Sequence, residues 1–123
     1  MTFADSTFDI AFESTLFMML TSEDVARRIA SEMLRVTRSG GYLMLADWRY
    51  ARPRSQDHHA MSLKRISSLF GVGHSTDVIA RERGALSPPL GRVLSRRAPS
   101  LYFAVQALMP FAVGQITTVL QQR

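Results

Sequence analysis

The sequence predicts an α/β fold, a largely parallel sheet flanked by helices, and three observations carry that prediction. A short apolar run at Phe8 to Phe12 is followed by an amphipathic stretch and then by Tyr42-Leu43-Met44-Leu45-Ala46, which is apolar on both sides of the pleat. The strand–helix–strand order implies a parallel pair joined by a right-handed crossover. A β-branched run, Ile116-Thr117-Thr118-Val119-Leu120, then suits a last strand.

The elements follow in order. Phe8 to Phe12 leaves the polar Asp5-Ser6-Thr7 turn as a buried strand. Thr21-Ser22-Glu23-Asp24 supplies a hydroxyl cap and two acids that complement the exposed N–H groups of a helix start. Val25, Ile29 and Met33, with Ala26, Ala30 and Leu34 beside them, make its apolar stripe against Arg27, Arg28, Ser31 and Arg35. Gly40 and Gly41 follow the basic Arg35 and Arg38 and are expected to end the helix, where a positive φ is often needed. Asp47 to Ala60, polar and broken by Pro53, reads as a loop at the carboxyl end of the second strand. Ser62 to Val72 resumes helical spacing through Leu63, Ile66, Leu69 and Phe70. Thr76 to Arg83 suits a less buried strand, and Pro88-Pro89 marks a turn before a long helical stretch. Leu101 to Val113 is the most apolar segment; it is too short for a span of roughly twenty residues. It is read as a buried helix, with an interfacial helix behind Arg92, Arg96 and Arg97 as the alternative.

Composition bounds the function classes. The 123 residues fit one domain, 46% apolar and 20% charged. No cysteine is present, which excludes a disulfide framework, a thiolate zinc site and a cysteine nucleophile and is compatible with a reducing cytoplasm. The N-terminus has no basic region before an apolar core, so it does not read as a signal peptide. A net charge of +5 comes almost wholly from arginines, paired along the chain. That pattern favours a solvated, salt-bridging surface over a nucleic-acid or lipid footprint, and no nucleic-acid-binding motif accompanies it.

Two motifs then stand at a suggestive separation: Phe3-Ala4-Asp5-Ser6-Thr7-Phe8-Asp9-Ile10 before the first strand, and Leu34-Arg35-Val36-Thr37-Arg38-Ser39-Gly40-Gly41 before the second. Together they resemble the class I S-adenosylmethionine-dependent methyltransferases, particularly the type 11 group, with Ser39 in place of a usual proline. The resemblance covers residues 3 to 50 by motif and the remainder by architecture. It implies a Rossmann-like sheet of which this chain holds strands four to seven: one partial domain, with residues 1–50 bearing the motifs and 51–123 adding a helix, a strand, an apolar helix and the last strand. The upstream glycine-rich loop and the ribose-binding acid of the family have no counterpart in these residues, so the start codon reads as internal. S-adenosylmethionine is accordingly expected as cofactor of a complete parent domain, with weak or no binding here.

In an open parallel sheet, ligands gather beyond the carboxyl ends of the strands. That rule points to Phe12, Glu13, Ser14 and Thr15 after the first strand and to Asp47, Trp48 and Arg49 after the second. By the resemblance, Phe3, Ala4 and Asp5 are expected on the adenine side, and Phe12, Glu13 and Ser14 among the cofactor contacts. Glu13 and Asp47 are the catalytic candidates, with a capping or salt-bridge role as the alternative; methyl transfer needs chiefly in-line placement and a base only where a proton leaves. Thr15, Met18, Met19, Trp48 and Arg49 are candidates for the acceptor side. The two methionines stand where many relatives carry a His-His pair, which favours an apolar wall or core packing. Asp57-His58-His59 lacks a further ligand at metal spacing, so no metal is expected.

The expected activity is methyl transfer to a small apolar or amphipathic acceptor in a full-length parent. The alternatives are a non-catalytic interaction domain completed by a partner chain, and a cytoplasmic protein peripheral to a membrane through residues 92–113. An apolar first strand with an open flank at residues 8–12 is also expected to self-associate or to pair with another chain.

Overall fold

The computed structural model describes residues 3–48, 60–83, 88–108 and 115–123. In chain order these form β1 (Phe8–Ser14), α1 (Leu16–Met19), α2 (Glu23–Val36), β2 (Thr37–Trp48), α3 (Leu63–Phe70), β3 (Thr76–Arg83), α4 (Pro88–Arg97), α5 (Pro99–Leu108) and β4 (Gln115–Gln122). The four strands make one sheet in the order β1-β2-β4-β3. β1 and β2 run parallel, whereas β4 lies antiparallel between β2 and β3. The last strand in sequence is therefore an interior one.

One face of the sheet holds the core. Leu43 and Leu45 of β2 and Leu120 of β4 meet Ala26, Ala30 and Met33 of α2, Phe17 of α1, and Ile66, Leu69 and Phe70 of α3, with Met61 closing the cluster. Phe17 and Phe70 pack edge to face with ring centroids 5.5 Å apart. Ser22 caps α2 by accepting the Val25 N–H, as the Thr21–Asp24 pattern predicts. The stripe itself is rotated from its expected position, and Val25 is exposed. Alanines at 26 and 30 let the helix backbone approach the sheet closely, which carries Val25 to the rim. α3 is capped by Ser62, whose Oγ accepts the Arg65 N–H, and stopped by Gly71 in the left-handed region.

Gly40 and Gly41 do not end α2. The helix stops at Val36, Thr37 is already extended, and both glycines lie within β2. Their task is to let β2 pass β1. Between the partners Phe8↔Thr37 and Ile10↔Tyr42 the register slips, so that β2 carries extra residues opposite Asp9. Gly40 takes φ 77°, and a Cβ on Gly41 would stand 2.8 Å from the Asp9 carbonyl oxygen and 2.9 Å from that of Arg38. The two motifs are locked across this crossing. Arg35 Nη1 donates to the Phe3 carbonyl at 2.9 Å and pairs with Asp5 at 2.5 Å, while the Ser6 N–H donates to the Arg35 carbonyl at 2.9 Å. Arg38 pairs with Asp9.

The long helical stretch after Pro88-Pro89 is two helices, broken where Pro99 removes a backbone donor and starts α5. Of the buried helix expected over Leu101 to Val113, residues 101–108 are described and form part of α5 with Leu101 and Leu108 both exposed, while residues 109–113 lie outside the described residues. α4 and α5 are joined through Ala98 alone, and among the described residues neither makes an extensive contact with a strand. Among the described residues no helix is long and apolar enough to cross a membrane.

β1 is an edge strand of the described sheet, as its open flank predicts. It is not the buried strand expected: Ile10 and Phe12 point to the face opposite the core and are 54% and 62% exposed. Tyr42 lies beside Ile10, and Met44 beside Phe12, on that same face.

The close passage at Gly41 yields a pair of expectations for urea unfolding. Gly41→Ala must push two backbone carbonyls aside and is expected to cost about 2–4 kcal/mol, whereas Gly40→Ala meets only the left-handed backbone penalty of about 1–2 kcal/mol. A smaller loss at Gly41 than at Gly40 would contradict the crossing described.

Candidate functional site

The carboxyl ends of β1 and β2 lie side by side, since Glu13 pairs in register with Leu45 and Ser14 with Ala46. Side chains alternate along a strand, so Asp47, two residues beyond Leu45, stands on the same face as Glu13. Both are buried, at 5% and 3% exposure. The chain turns sharply between them and α1. Thr15 adopts φ 57° and donates its N–H to the Ala46 carbonyl at 2.9 Å, tying the turn to the end of β2.

The two carboxylates hold this turn. Glu13 Oε2 accepts the Leu16 N–H at 3.0 Å, and Asp47 Oδ2 accepts the Met18 N–H at 3.1 Å. Asp47 Oδ1 also accepts the Trp48 N–H at 2.9 Å. Glu13 Oε1 has no hydrogen-bond partner among the described residues. Arg65 of α3, which the sequence presents only as one cation on a helix, closes the site from below. Its Nη1 donates to the Phe17 carbonyl at 3.2 Å, and its Nη2 pairs with Glu23 at 2.7 Å. The Phe17 carbonyl and the Met18 N–H are thus gripped from opposite sides by Arg65 and Asp47.

Burial pushes the Glu13 carboxyl up to about 7, and the neighbouring Asp47 charge adds to the rise. Burial raises Asp47 as well, opposed by the N–H bonds from Trp48 and Met18 and by the charge of Arg65. Two buried carboxyls, both raised by burial, thus lie together at this end of the sheet, with the Arg65 charge opposing the rise at Asp47. Perturbed carboxyls of this kind occur both in reaction centres and in structural networks.

The remaining predicted residues divide by position. Ser14, Thr15 and Met19 are exposed on the rim and Trp48 is half-buried there, its carbonyl accepting the Met61 N–H at 2.8 Å. Met18 is buried, with its N–H taken by Asp47. Phe12 is near Glu13 in sequence but on the other face of the sheet. Phe3, Ala4 and Asp5 precede β1, at the end of the strand away from Glu13; the seven-residue strand separates the two groups by roughly 20 Å. There Phe3 packs edge to face on Phe8 at 5.0 Å, and Asp5 is engaged by Arg35. The structure does not bring these three residues to the rim. Arg49 and the Asp57-His58-His59 run lie outside the described residues, and among the described residues no group of three metal-ligating side chains occurs.

No protein-family model and no curated protein sequence matches the chain; its likenesses are three-dimensional. It is similar to an S-adenosylmethionine-dependent methyltransferase from Methanosarcina mazei, with a TM-score of 0.64 and 16% identity over 99% of this chain and 62% of that one. It is similar also to the cyclase SpnF, with a TM-score of 0.60 and 14% identity over 99% of this chain and 53% of that one. A third neighbour is phosphoethanolamine N-methyltransferase 2 of Haemonchus contortus, solved in complex with S-adenosyl-L-methionine, with a TM-score of 0.55 and 9% identity over 98% of this chain and 34% of that one. The chain spans less than two thirds of the length of each. Over the part it spans, it has the class I methyltransferase fold.

The state of Glu13 sets a pH dependence whose sign is fixed. Its carboxyl titrates near 4.5 when unfolded and at about 7 when folded, so the folded chain binds the extra proton. Its contribution to stability is full below pH 4.5 and is lost as pH rises to about 7, by roughly 3 kcal/mol in all. Urea midpoints measured from about pH 4 to about pH 8 are expected to fall over that window, and Glu13→Gln is expected to remove most of the fall. An unchanged slope in the variant would show that the proton resides elsewhere.

Proposed function

We propose that this chain is the acceptor-side part of an S-adenosylmethionine-dependent methyltransferase domain, acting on a small apolar or amphipathic acceptor. The observation that carries the reading is that 99% of the chain superposes on part of such an enzyme. The site adds the chemistry. Ser14, Thr15, Met19 and Trp48 make a rim of mixed polarity at the end of the sheet where α/β folds hold their ligands. Glu13 and Asp47 fix the α1 backbone beneath that rim. Should an acceptor need to lose a proton, Glu13 Oε1, buried beneath this rim with no hydrogen-bond partner among the described residues, is the group proposed to receive it, which requires the α1 turn to open to the acceptor.

The described residues do not by themselves fit the cofactor. No glycine stands at the carboxyl end of β1 or β2, and both buried acids there already accept backbone N–H groups. S-adenosylmethionine supplies the methyl group in such a domain; its cradle belongs to the rest of the fold, and no reaction step is assigned to this chain alone. Calorimetry of the 123-residue chain with S-adenosylhomocysteine is expected to show no saturable binding below about 1 mM. Micromolar affinity would mean that these residues do form a cradle.

A second reading, a non-catalytic interaction domain completed by a partner chain, is favoured by one observation. The edge strand β1 carries Ile10 and Phe12 exposed on a face that no described helix covers. Self-association in sedimentation at tens of micromolar, abolished by Ile10→Lys with Phe12→Lys, is the expected behaviour. Monomeric, cooperatively melting wild-type chain would remove this reading.

A further inference from the structure

The charge of the chain is not evenly spread. Residues 1–82 hold ten basic and ten acidic side chains, whereas residues 83–123 hold five arginines and no acid, so the whole net charge of +5 arises in the last third. Three of those arginines, Arg92, Arg96 and Arg97, are exposed on α4. Arg92 and Arg96 lie one turn apart on one side of the helix. α5 follows at once, and Leu101, Ala104, Val105 and Leu108 fall at helical spacing on one stripe. Leu101 and Ala104 are exposed and Leu108 is 80% exposed, while Val93 of α4 is exposed as well.

The strand ends that flank the α4–α5 segment also have a defined place. β4 begins opposite the end of β2, with Gln115 paired to Trp48 and Ile116 paired both to Asp47 and to Arg83. The connection holding α4 and α5 thus leaves and rejoins the sheet at the end where Glu13, Ser14 and Asp47 stand.

We propose that the α4–α5 helix pair is an interfacial anchor that docks this end of the sheet on an anionic phospholipid bilayer. Arginines keep their guanidinium groups among the headgroup phosphates while their stems lie along apolar surface, and the α5 stripe enters the acyl boundary. Nucleic acid would neutralise the arginines but leave Leu101, Val105 and Leu108 facing water. A bilayer satisfies both helices, and the absence of acids removes the repulsion an anionic surface would otherwise exert.

Flotation of the 123-residue chain with vesicles tests this without reference to methyl transfer. Binding is expected to vesicles containing phosphatidylglycerol, to weaken with added salt, and to be lost on pure phosphatidylcholine. Arg96→Gln with Arg97→Gln is expected to lower partitioning by about 25-fold, from about fivefold per arginine. Leu101→Ser with Leu108→Ser is expected to abolish binding with an unchanged circular dichroism spectrum. Because the chain has no cysteine, Leu108→Cys can carry a single environment-sensitive dye. Its emission is expected to shift to the blue on adding anionic vesicles, and that of a dye on Arg27→Cys of α2 is not. No vesicle binding, equal binding to neutral vesicles, indifference to the arginine pair, or a blue shift produced by nucleic acid or by self-association alone would each overturn the proposal.

Discussion

The close crossing of β1 and β2 is the constraint on which the remaining structure depends. A parallel pair has no turn to set its register, so something else must fix which residue meets which. Here the Asp9 carbonyl approaches β2 so closely that a side chain at position 41 has no room. Arg35, at the end of α2, grips the turn before β1 through Asp5 and the Phe3 carbonyl, and Arg38, in β2, holds the start of β1 through Asp9. Once this end is fixed, pairing runs from Ile10↔Tyr42 to Ser14↔Ala46. That pairing brings Glu13 and Asp47 to the same face. A slip of one residue would send one carboxylate to the opposite face and leave the α1 turn without its acceptors.

Much of the architecture was legible because its signals are local. The Ser22 cap, the helix after Ser62 and the strand at Thr76 to Arg83 depend on neighbours a few residues away. The glycine pair at 40 and 41 was misread for the same reason. In sequence it follows a helix with basic residues, which is also how a helix terminus looks, and the partner that explains it, the Asp9 carbonyl, lies some thirty residues upstream. The α2 stripe failed in a related way: hydrophobicity ranks Val25 above Ala26, but closeness of approach to the sheet favours the smaller residue. The apolar content of α5 was equally misleading, because composition does not say whether a surface exists for the helix to cover.

The site was legible as a place more than as a set of roles. The rule that ligands gather at carboxyl strand ends led to Glu13, Ser14, Thr15, Asp47 and Trp48. It could not show that Glu13 and Asp47 are engaged with the α1 backbone, nor that Arg65 joins them from α3 through Phe17. One signal was available in retrospect. Residues 13 and 47 are acids at the ends of two runs that are otherwise apolar, where a charge is tolerated only with donors at hand. Phe3 to Asp5 shows the reverse case: the motif is well recognised, but its residues serve the crossing rather than the rim.

The position of β4 has a consequence for how the sheet is made. Among the described residues β3 pairs with no strand but β4, which follows it after the α4–α5 segment. During synthesis, β1, α2 and β2 can close a local unit as soon as they emerge, but Thr76–Arg83 must wait, with its backbone donors and acceptors in water, until Gln115–Gln122 is available. The α4–α5 segment is made during that wait, so its arginines and apolar stripe are presented to the surroundings before Gln115–Gln122 enters between β2 and β3.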